Sequence, residues 1–254
     1  MSEPGSVRMV VPCFRESARI KGFLPDLCAQ LDALGDCRVL VVEDGSGEDE
    51  QRLMNDIVGG LQKRHPSLCD LLKLPDNLGK GGAVYAGWAD HGGADWLGFV
   101  DADGSVTTAE VGRLITLARE RGTGKGAIIA SRVLMLGRDV RRAWQRHLIG
   151  RVYATLVSEL LSIPVYDSQC GLKLVPRMAF EKARENLTVN GFAFDVELVS
   201  LLLDQGTGVI EVPIDWHEVG GGKIHLLRDS FRMFRDVLRI KRMRMERARN
   251  GALK

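Results

Sequence analysis

The chain has 254 residues, a formal net charge of +2, and 45% hydrophobic and 27% charged residues. This composition is typical of a globular protein and excludes a disordered or fibrous chain, and the length fits one large α/β domain or two small ones. The five cysteines form no C-x-x-C pair and are odd in number, which argues against a disulfide framework and indicates a reducing compartment.

The sequence also lacks the features of exported and membrane-spanning proteins. Its first residues, MSEPGSVR, are polar and do not form a signal peptide, and no stretch approaches 18 uninterrupted apolar residues. We therefore expect a cytoplasmic protein that has no transmembrane helix.

Short apolar runs alternate with amphipathic stretches in the first half of the chain. The predicted strands are Val7–Pro12, Val39–Val42, Asp70–Leu74, Leu97–Val100 and Ala127–Ala130. The predicted helices lie near Ala18–Leu34, Glu48–Arg64, Gly82–His91 and Thr108–Arg121. This βαβα series predicts an α/β fold with a mostly parallel sheet and helices on both of its faces.

The second half continues with a different pattern. The predicted elements are a helix through about Leu161, a strand at Gly171–Val175, a helix near Val196–Asp204, a strand at Val209–Pro213 and a long final helix. No internal repeat or low-complexity linker separates the halves, so we expect one domain with a functional second half.

Three polar clusters follow predicted strands of the first half. They are Pro12–Glu16, Glu43–Ser46 and Asp101–Asp103. Ligands of parallel sheets bind beyond the carboxyl ends of the strands, where these clusters would meet. Asp101 and Asp103, spaced i and i+2 after an apolar run, offer the hard oxygens that Mg²⁺ or Mn²⁺ prefers, and such ions also bind phosphate oxygens. The alternative is an aspartate-rich turn that caps a helix.

Two common nucleotide motifs are absent. The first strand ends in Pro-Cys-Phe-Arg-Glu rather than G-x-G-x-x-G, and the turn Asn77–Gly82 lacks the spacing of a P-loop. That turn still places Lys80 and backbone N–H groups at a helix start, which suits an anion, although a glycine turn with a solvated lysine is equally compatible. A carboxylate of Glu43-Asp44 could accept a hydrogen bond from a base or a ribose, or only stabilise a turn.

Eight segments occur in a characteristic order. They are VPCFRE, VVEDGSGED, NLGKGGAVYAG, VDADG, ASR, DSQCGLKL, GFAFDVEL and VPIDWHEVGGGKI. In this order they resemble the family 2 glycosyltransferases of GT-A (Rossmann-like) fold, and among these the polyprenyl-phosphate hexose synthases, especially the dolichyl-phosphate β-glucosyltransferase branch. The resemblance runs from about Val7 to Arg242, nearly the whole chain.

The resemblance implies a role for each matching position. Nucleotide binding falls to Pro12, Glu16, Asp44 and Lys80. Binding of the metal and the sugar diphosphate falls to Asp101 and Asp103. Contacts to the acceptor phosphate fall to Arg132, Lys173 and Lys223. Apart from these matches, the reaction itself suggests Asp167 and Asp195 as catalytic residues that orient hydroxyls of the acceptor or the sugar. The alternative is that they are only carboxylates at a strand edge and a helix start.

Some positions depart from the family pattern. Arg15 replaces the usual Asn, Glu43 replaces the first Asp of D-D-G-S, and Ser105 stands where mannosyl relatives often carry a metal-binding Gln. These changes weaken a mannosyl-donor interpretation. His217 is a candidate third metal ligand, although a lone His beside a Trp is more often a packing residue, and no His/Cys cluster indicates zinc.

The implied activity is the inverting, metal-dependent transfer of a hexose, most simply glucose from UDP-glucose, to a polyprenyl phosphate. Two alternatives stay open at this point. One is transfer to a hydroxyl of a growing polysaccharide, which needs a general base such as Asp195. The other is a nucleotide-sugar-binding module without turnover. The donor sugar, the base, the metal, the lipid length and the oligomeric state are not determined by the sequence.

The final helix is the most charged part of the chain. Residues 228–249 contain nine Lys/Arg and three acids, and apolar residues recur at helical spacing: Leu227, Phe231, Phe234 and Leu238. Such a basic amphipathic helix can lie on an anionic membrane surface, or dock its apolar face on the domain. Sparse aromatic residues and the absence of a recognition motif argue against nucleic acid. We therefore predict a peripheral protein at the cytoplasmic membrane face.

The predicted organisation is a GT-A domain over residues 1–227 followed by the basic helix over residues 228–254. Within the domain, the nucleotide half covers about residues 7–132 and the acceptor half about residues 133–227.

Overall fold

A computed structural model describes residues 5–141, 144–220 and 226–251. Seven strands form the main sheet: β1 (Val7–Cys13), β2 (Cys37–Asp44), β3 (Leu72–Leu74), β4 (Trp96–Val100), β5 (Ala127–Ser131), β7 (Leu172–Pro176) and β8 (Val209–Pro213). Their order is β3-β2-β1-β4-β7-β5-β8. All neighbours are parallel except β7, which is antiparallel to both β4 and β5. The predicted mostly parallel sheet is confirmed.

Helices cover both faces of the sheet, as predicted. They are α1 (Ser17–Ile20), α2 (Leu24–Leu34), α3 (Glu48–Gln62), α4 (Lys80–Ala89), α5 (Thr108–Arg121), α6 (Trp144–Leu161), α7 (Arg177–Ala183), α8 (Phe194–Asp204) and α9 (Leu226–Gly251). Helices α2, α3 and α5 pack on one face of the sheet, and α4, α6, α7, α8 and α9 contribute to the core on the other. Short 3-10 turns at Thr123–Lys125 and Arg184–Asn186 complete the helical elements.

Helix α4 lies unusually close to the sheet, which fixes the position of its first residue. A Cβ on Gly87 would come within 2.7 Å of a methyl group of Val10 on β1, so only glycine permits this approach. The indole Nε1 of Trp88 donates to the carbonyl oxygen of Gly98 at 2.9 Å, with both residues in the core. These contacts hold Lys80 at the start of α4 against the edge of the sheet.

The structure differs from the sequence prediction in several details, among them an additional helix, α7, and a β3 that is shorter than Asp70–Leu74. The helix predicted over Ala18–Leu34 is two helices, α1 and α2, because Gly22 interrupts the chain and Pro25 starts a new helix. A two-stranded sheet of β6 (Val140–Arg141) and β9 (Trp216–His217) was not predicted, since each strand is too short to show an alternating pattern. Helix α4 begins two residues earlier than predicted.

The final helix packs on the domain through part of its apolar face. Val237 and Ile240 are fully buried in the core, whereas Phe234 and Leu238 keep about two fifths of their surface exposed. At Val237 and Ile240, helix α9 therefore docks its apolar face on the domain, which is one of the two arrangements considered from the sequence. Within the described residues, no helix combines the length and the apolar composition that a bilayer crossing needs.

Candidate functional site

The three polar clusters predicted to meet do lie at one edge of the sheet. Strands β1, β2 and β4 are parallel neighbours, so Pro12–Glu16, Glu43–Ser46 and Asp101–Asp103 all follow carboxyl ends on the same side. Strand β5 runs in the same direction, because β7 is antiparallel to both β4 and β5. Arg132, directly after β5, therefore reaches this edge as well.

Asp101 is held between a strand and a lysine. Its backbone N–H donates to the carbonyl oxygen of Gly171 at 2.9 Å, and its Oδ1 lies 2.7 Å from Nζ of Lys80. A Cβ on Gly171 would come within 2.2 Å of Asp101 Oδ2, so a residue with a side chain cannot occupy position 171 without moving this carboxylate. Gly171 is thus part of the site, although its role was not predicted.

Asp103 is half-buried beside Asp101. Its Oδ1 accepts a hydrogen bond from the backbone N–H of Ser105 at 2.9 Å. Burial raises the pKa of Asp103, the neighbouring charge of Asp101 raises it further, and the hydrogen bonds from Ser105 oppose both effects. Burial and the charge of Asp101 both disfavour the ionised form of Asp103, and a bound cation would favour it.

The donor set of this pair fits a hard divalent cation. Two carboxylates supply anionic oxygens of the kind that Mg²⁺ and Mn²⁺ bind, and the remaining positions of such ions are commonly filled by water and phosphate oxygens. The described residues contain no group of three His, Cys, Asp or Glu side chains arranged around a common point. A metal at Asp101 and Asp103 would therefore take its remaining ligands from water or from phosphate oxygens.

His217 is close to this loop, but its side chain faces another partner. Its backbone N–H donates to the carbonyl oxygen of Ser105 at 3.0 Å, while its Nε2 lies 3.0 Å from Oδ2 of Asp139. Its suggested role as a metal ligand stays a prediction.

Lys80 is charged in spite of its burial. Burial lowers the pKa of its ammonium group, but Asp101, Asp195 and Asp103 together outweigh that effect and leave the pKa raised. The ammonium also lies 5.3 Å from the centre of the Phe99 ring. Lys80 thus brings a permanent positive charge to the carboxylates at this edge.

Four backbone N–H groups around the start of α4 already have acceptors within the chain. The amides of Gly81 and Gly82 donate to the carbonyl oxygen of Asn190 at 2.8 and 3.2 Å. The amides of Leu78 and Gly79 donate to the carboxylate of Asp44 at 2.7 and 2.9 Å. The expectation of free amides is therefore wrong for these four residues, because two other segments of the chain already accept their hydrogen bonds.

Asp44 stabilises the turn that precedes α4. Besides the two amides of that turn, Nδ2 of Asn77 donates to its carboxylate at 3.0 Å. Burial raises the pKa of Asp44 to about 6, against the lowering effect of the amides of Leu78 and Gly79 and with a smaller raising effect from Glu43. The proposed nucleotide contact of Asp44 stays a prediction. The structure shows that this side chain also holds the turn before α4 through three hydrogen bonds.

Glu43 has one unused oxygen. The side chain is fully buried, and its Oε1 accepts from the backbone N–H of Ser46 at 3.0 Å. Its Oε2 is buried and has no hydrogen-bond partner among the described residues. Buried acceptors without partners are rare, and this one lies at the ligand edge of the sheet. Glu43 was noted as a departure from the family pattern, but it was not counted among the predicted site residues.

The end of β1 carries Pro12, Glu16 and a further cation. Pro12 is half-buried at the end of the strand, and Glu16 accepts two hydrogen bonds from Arg19, from Nε and Nη2, both at 2.6 Å. Glu16 raises the pKa of the Arg19 guanidinium, burial lowers it, and Asp103 and Asp101 raise it further. Nη1 of Arg19 is buried without a partner among the described residues. Arg19 is thus a site residue that was not predicted.

Two residues of the predicted acceptor half and its border, Arg132 and Asp167, form one ion pair. Arg132 donates from Nε and Nη2 to the two carboxylate oxygens of Asp167, each at 2.7 Å. Burial lowers the pKa of the Arg132 guanidinium, and Asp167 more than compensates, so that the pKa is raised. Glu211 accepts from the backbone N–H groups of Tyr166 and Asp167 at 2.8 and 2.7 Å and fixes the loop that carries the pair.

Lys173 and Asp195 form a second, deeper pair. Nζ of Lys173 lies 2.5 Å from Oδ1 of Asp195 and donates to the carbonyl oxygen of Cys170 at 2.8 Å, and the lysine side chain is 0% exposed. Burial raises the pKa of Asp195, and Lys173 and then Lys80 oppose this effect. The structure therefore pairs the two residues with each other, and their roles toward an acceptor stay predictions. Lys223 lies outside the described residues.

Comparisons with known proteins identify the family. A sequence profile described as Glycosyl transferase family 2 matches residues 9–184. The dolichyl-phosphate beta-glucosyltransferase of Saccharomyces cerevisiae is 32% identical over 245 residues, covering 92% of this chain and 73% of the yeast protein. The protein of the same name from Dictyostelium discoideum is 28% identical over 242 residues, again with 92% and 73% coverage.

A solved structure shares the fold. The glucosyl-3-phosphoglycerate synthase of Mycobacterium tuberculosis, crystallised with Mn²⁺ and UDP-glucose, superposes with a TM-score of 0.65 over 93% of this chain and 79% of the synthase. Its sequence is 16% identical, so the likeness concerns the fold alone. That fold is the GT-A arrangement which the sequence motifs implied.

Proposed function

Because the chain belongs to glycosyl transferase family 2, it is a glycosyltransferase, and we propose that it transfers glucose from UDP-glucose to a polyprenyl phosphate with inversion at the anomeric carbon. One observation carries this proposal: the carboxylates of Asp101 and Asp103 share the sheet edge with the cations Lys80 and Arg132. The names of the yeast and Dictyostelium relatives support the choice of sugar and acceptor.

The donor would bind at the ends of β1, β2 and β4. The unpaired Oε2 of Glu43 is suited to accept a hydrogen bond from an N–H group of the base, and Pro12 and Glu16 border the same space. Asp44 would act near the ribose or through the turn that it holds. In this proposal Glu43, with its longer side chain, recognises the base, and Asp44 has a partly structural role.

Asp101 and Asp103 would hold Mg²⁺ or Mn²⁺ together with the diphosphate. When bound, the ion supplies positive charge that stabilises the leaving UDP. Lys80 stands 2.7 Å from Asp101, and Arg19 has an unused Nη1 near the same carboxylates, so both cations can share the compensation of diphosphate charge. Mn²⁺ in the crystallised Mycobacterium tuberculosis enzyme supports a divalent ion.

The acceptor step needs positioning more than proton abstraction. A phosphate oxygen is already anionic near neutral pH, so it can attack the anomeric carbon while the bond from that carbon to the UDP oxygen breaks. Arg132 would orient the acceptor phosphate, and its ion pair with Asp167 keeps the guanidinium in one orientation. Orientation of this kind can lower a barrier by several kcal/mol.

The burial of Asp195 argues against the polysaccharide alternative. A hydroxyl acceptor requires a general base, and Asp195 is the first candidate. Its Oδ1 lies 2.5 Å from the ammonium of Lys173, and the pair is inaccessible to solvent. A carboxylate so engaged is poorly placed to remove a proton from a sugar, whereas a phosphate acceptor needs no such base.

We place the enzyme at the cytoplasmic face of a membrane. Directly after Arg132 a loop presents three consecutive apolar side chains, Leu134, Met135 and Leu136, of which Leu136 is 100% exposed. An exposed run of this kind at the site edge suits contact with lipid. Helix α9 adds basic residues and the partly exposed Phe234, and its contribution to membrane binding belongs to the same proposal.

A matrix of donors and acceptors tests the activity. UDP- and GDP-sugars are combined with a short polyprenyl phosphate, a neutral polysaccharide primer or buffer, and products are identified by mass spectrometry. We expect the strongest signal from UDP-glucose with polyprenyl phosphate. Products on the neutral primer alone would replace the proposal by polysaccharide extension, and binding of UDP-glucose without any product would favour a binding module.

Vesicle binding tests the membrane contact separately from the chemistry. Leu136→Asp should reduce co-sedimentation with vesicles that contain anionic lipid, because it places a charge where an apolar side chain would enter the interface. Leu53→Asp is the control. Leu53 is also an exposed leucine, with 49% of its surface accessible, but it lies on α3 and not in the loop after Arg132. Equal binding by both variants and the wild type would contradict the membrane role of this loop.

A further inference from the structure

A cavity lies at the end of α8 that is remote from the proposed transfer site. It has a volume of about 620 Å³ and is formed by the last turns of α6 and α8 together with the second half of α9. Helix α8 starts beside Lys80 and Lys173 at the sheet edge and ends at Asp204, so at 1.5 Å per residue the cavity is about 15 Å away along the helix. No residue of the proposed transfer site lines it.

Three cations and one carboxylate line this cavity. The cations are Lys241, Arg244 and Arg247 of α9, and the carboxylate is Asp204. Asp204 is occupied by Arg244, whose Nη2 and Nε lie 2.6 and 3.0 Å from its oxygens. Lys241 forms no ion pair with any described residue. The cavity therefore carries about two uncompensated positive charges.

The guanidinium group of Arg247 is the most unusual group in the cavity. Its Nε, Nη1 and Nη2 are all buried, and none has a hydrogen-bond partner among the described residues. The Oε1 of Gln205, on the same wall, is likewise buried without a partner. An unpaired buried cation costs several kcal/mol, so a guanidinium is normally kept in such a place by an anion.

We propose that this cavity binds a phosphate ester. A phosphate ester has three free oxygens, so it can accept two hydrogen bonds from the guanidinium of Arg247 and one from the ammonium of Lys241. A carboxylate has only two oxygens, and a bidentate pair with Arg247 would engage both. Gln205 can accept from a hydroxyl of the ester. The apolar side chains of Leu160 and Leu201 on the cavity wall suit the carbon atoms next to the phosphate. The shared chemistry covers a free phosphate ester and a phospholipid headgroup.

Thermal unfolding and calorimetry with glycerol 3-phosphate test the site. We expect the wild type to bind the ester and to gain melting temperature with its concentration at constant ionic strength, because a ligand of the folded state stabilises it. Arg247→Gln should weaken binding about tenfold or more, since it removes charge-assisted hydrogen bonds. The same variant should melt no lower than the wild type without ligand, because it removes an uncompensated buried charge.

Arg242→Gln is the matched control. It makes the same change of charge on the same helix, but Arg242 is largely exposed and pairs with Glu246 at 2.9 Å outside the cavity. This variant should bind the ester as the wild type does. Lys241→Gln should show an intermediate loss and provides a second test if Arg247→Gln does not fold.

Vesicles distinguish the two sources of phosphate. If a headgroup is the ligand, phosphatidic acid in phosphatidylcholine vesicles should bind the wild type more tightly than Arg247→Gln, and glycerol 3-phosphate should compete. If a soluble ester is the ligand, only the calorimetric difference appears. Equal ester affinities for the wild type, Arg247→Gln and Arg242→Gln, or a lower melting temperature of ligand-free Arg247→Gln, would overturn the proposal. None of these measurements depends on transferase activity.

Discussion

The two sides of the site hold their carboxylates in different ways. On the predicted nucleotide side, backbone amides hold two of the carboxylates: Leu78 and Gly79 donate to Asp44, and Ser105 donates to Asp103. Asp101 and Glu16 on the same side pair with Lys80 and Arg19. Amides fix a carboxylate without neutralising it, so Asp103 keeps its negative charge available to a cation. On the predicted acceptor side, each of the two carboxylates has a cation as its counter-charge, in the pairs Arg132–Asp167 and Lys173–Asp195.

The largest expected effect concerns the deepest ion pair. Asp195→Asn leaves the ammonium of Lys173 buried without a counter-charge and should lower the free energy of unfolding by about 3–5 kcal/mol. Guanidinium denaturation measures the change. The double variant Lys173→Met with Asp195→Leu should recover most of the loss, because both charges are gone. An unchanged midpoint for Asp195→Asn would show that the pair contributes little to stability.

On the nucleotide side the expected loss is one of activity. Asp103→Asn removes an anionic oxygen from a site with two protein carboxylates and should lower turnover about a hundredfold to a thousandfold, while the melting temperature stays close to that of the wild type. Asp90→Asn, on the exposed end of α4, is the control. Wild-type activity in the Asp103 variant, or full activity of the wild type in excess EDTA, would contradict the metal role.

Gly171→Ala tests whether the position of Asp101 matters as much as its charge. The added Cβ would lie 2.2 Å from Asp101 Oδ2, so the carboxylate must move. A displacement of about 1 Å can cost about a hundredfold in rate. Gly59→Ala, in open space on α3, controls for the substitution itself. Turnover equal to that of the control would mean that the site tolerates a displaced Asp101.

Arg132→Ala addresses the acceptor. A charge-assisted bond to phosphate contributes roughly 1.5–3 kcal/mol, so efficiency with a polyprenyl phosphate should fall about tenfold to a hundredfold. Affinity for UDP-glucose should barely change, and Arg132→Lys should recover only part of the loss, because lysine lacks the planar fork. Intact lipid-phosphate transfer in Arg132→Ala would remove this residue from the acceptor site.

The smallest effect is a pH dependence from Asp44. Burial raises its pKa in the folded state to about 6, above that of the unfolded chain, so protonation favours the fold. The resulting stability is fully present below about pH 4 and is lost as the pH rises through about 6. Relative to Asp44→Asn, the wild type should therefore lose a few degrees of melting temperature between pH 4 and pH 7. Parallel curves for the two proteins would contradict the raised pKa.

The contrast between carboxylates held by amides and carboxylates held by cations also bears on how much of the site could be predicted. Asp44, Asp101 and Asp103 follow apolar strands directly, and parallel strands bring their ends to one edge, so spacing along the sequence was sufficient. Lys173 was assigned from the family resemblance and Asp167 from the needs of the reaction. Their ion-pair partners were not predicted, because an ion pair between distant segments leaves no periodic signal.

Other misses have a similar physical origin. The antiparallel direction of β7 is invisible in its apolar run, since burial on both faces looks alike in either direction. Glu211 acts through backbone amides of a loop 44 residues earlier in the chain. The unpaired atoms of Glu43, Arg19 and Arg247 become apparent only when burial is known. Residue type and order therefore predicted the edge of the sheet, and tertiary contacts determined what each side chain does there.

The antiparallel strand also limits how this enzyme could be recombined with its relatives. Strand β7 belongs by sequence to the predicted acceptor half, yet it lies between β4 and β5 of the nucleotide half and pairs with both. In a chimera joined near residue 132, β7 of one parent would have to pair with β4 and β5 of the other. Gly171 of the first parent would then lie against Asp101 of the second. Exchange of acceptor specificity by grafting should therefore leave β7 with its original sheet and move only the loops around it.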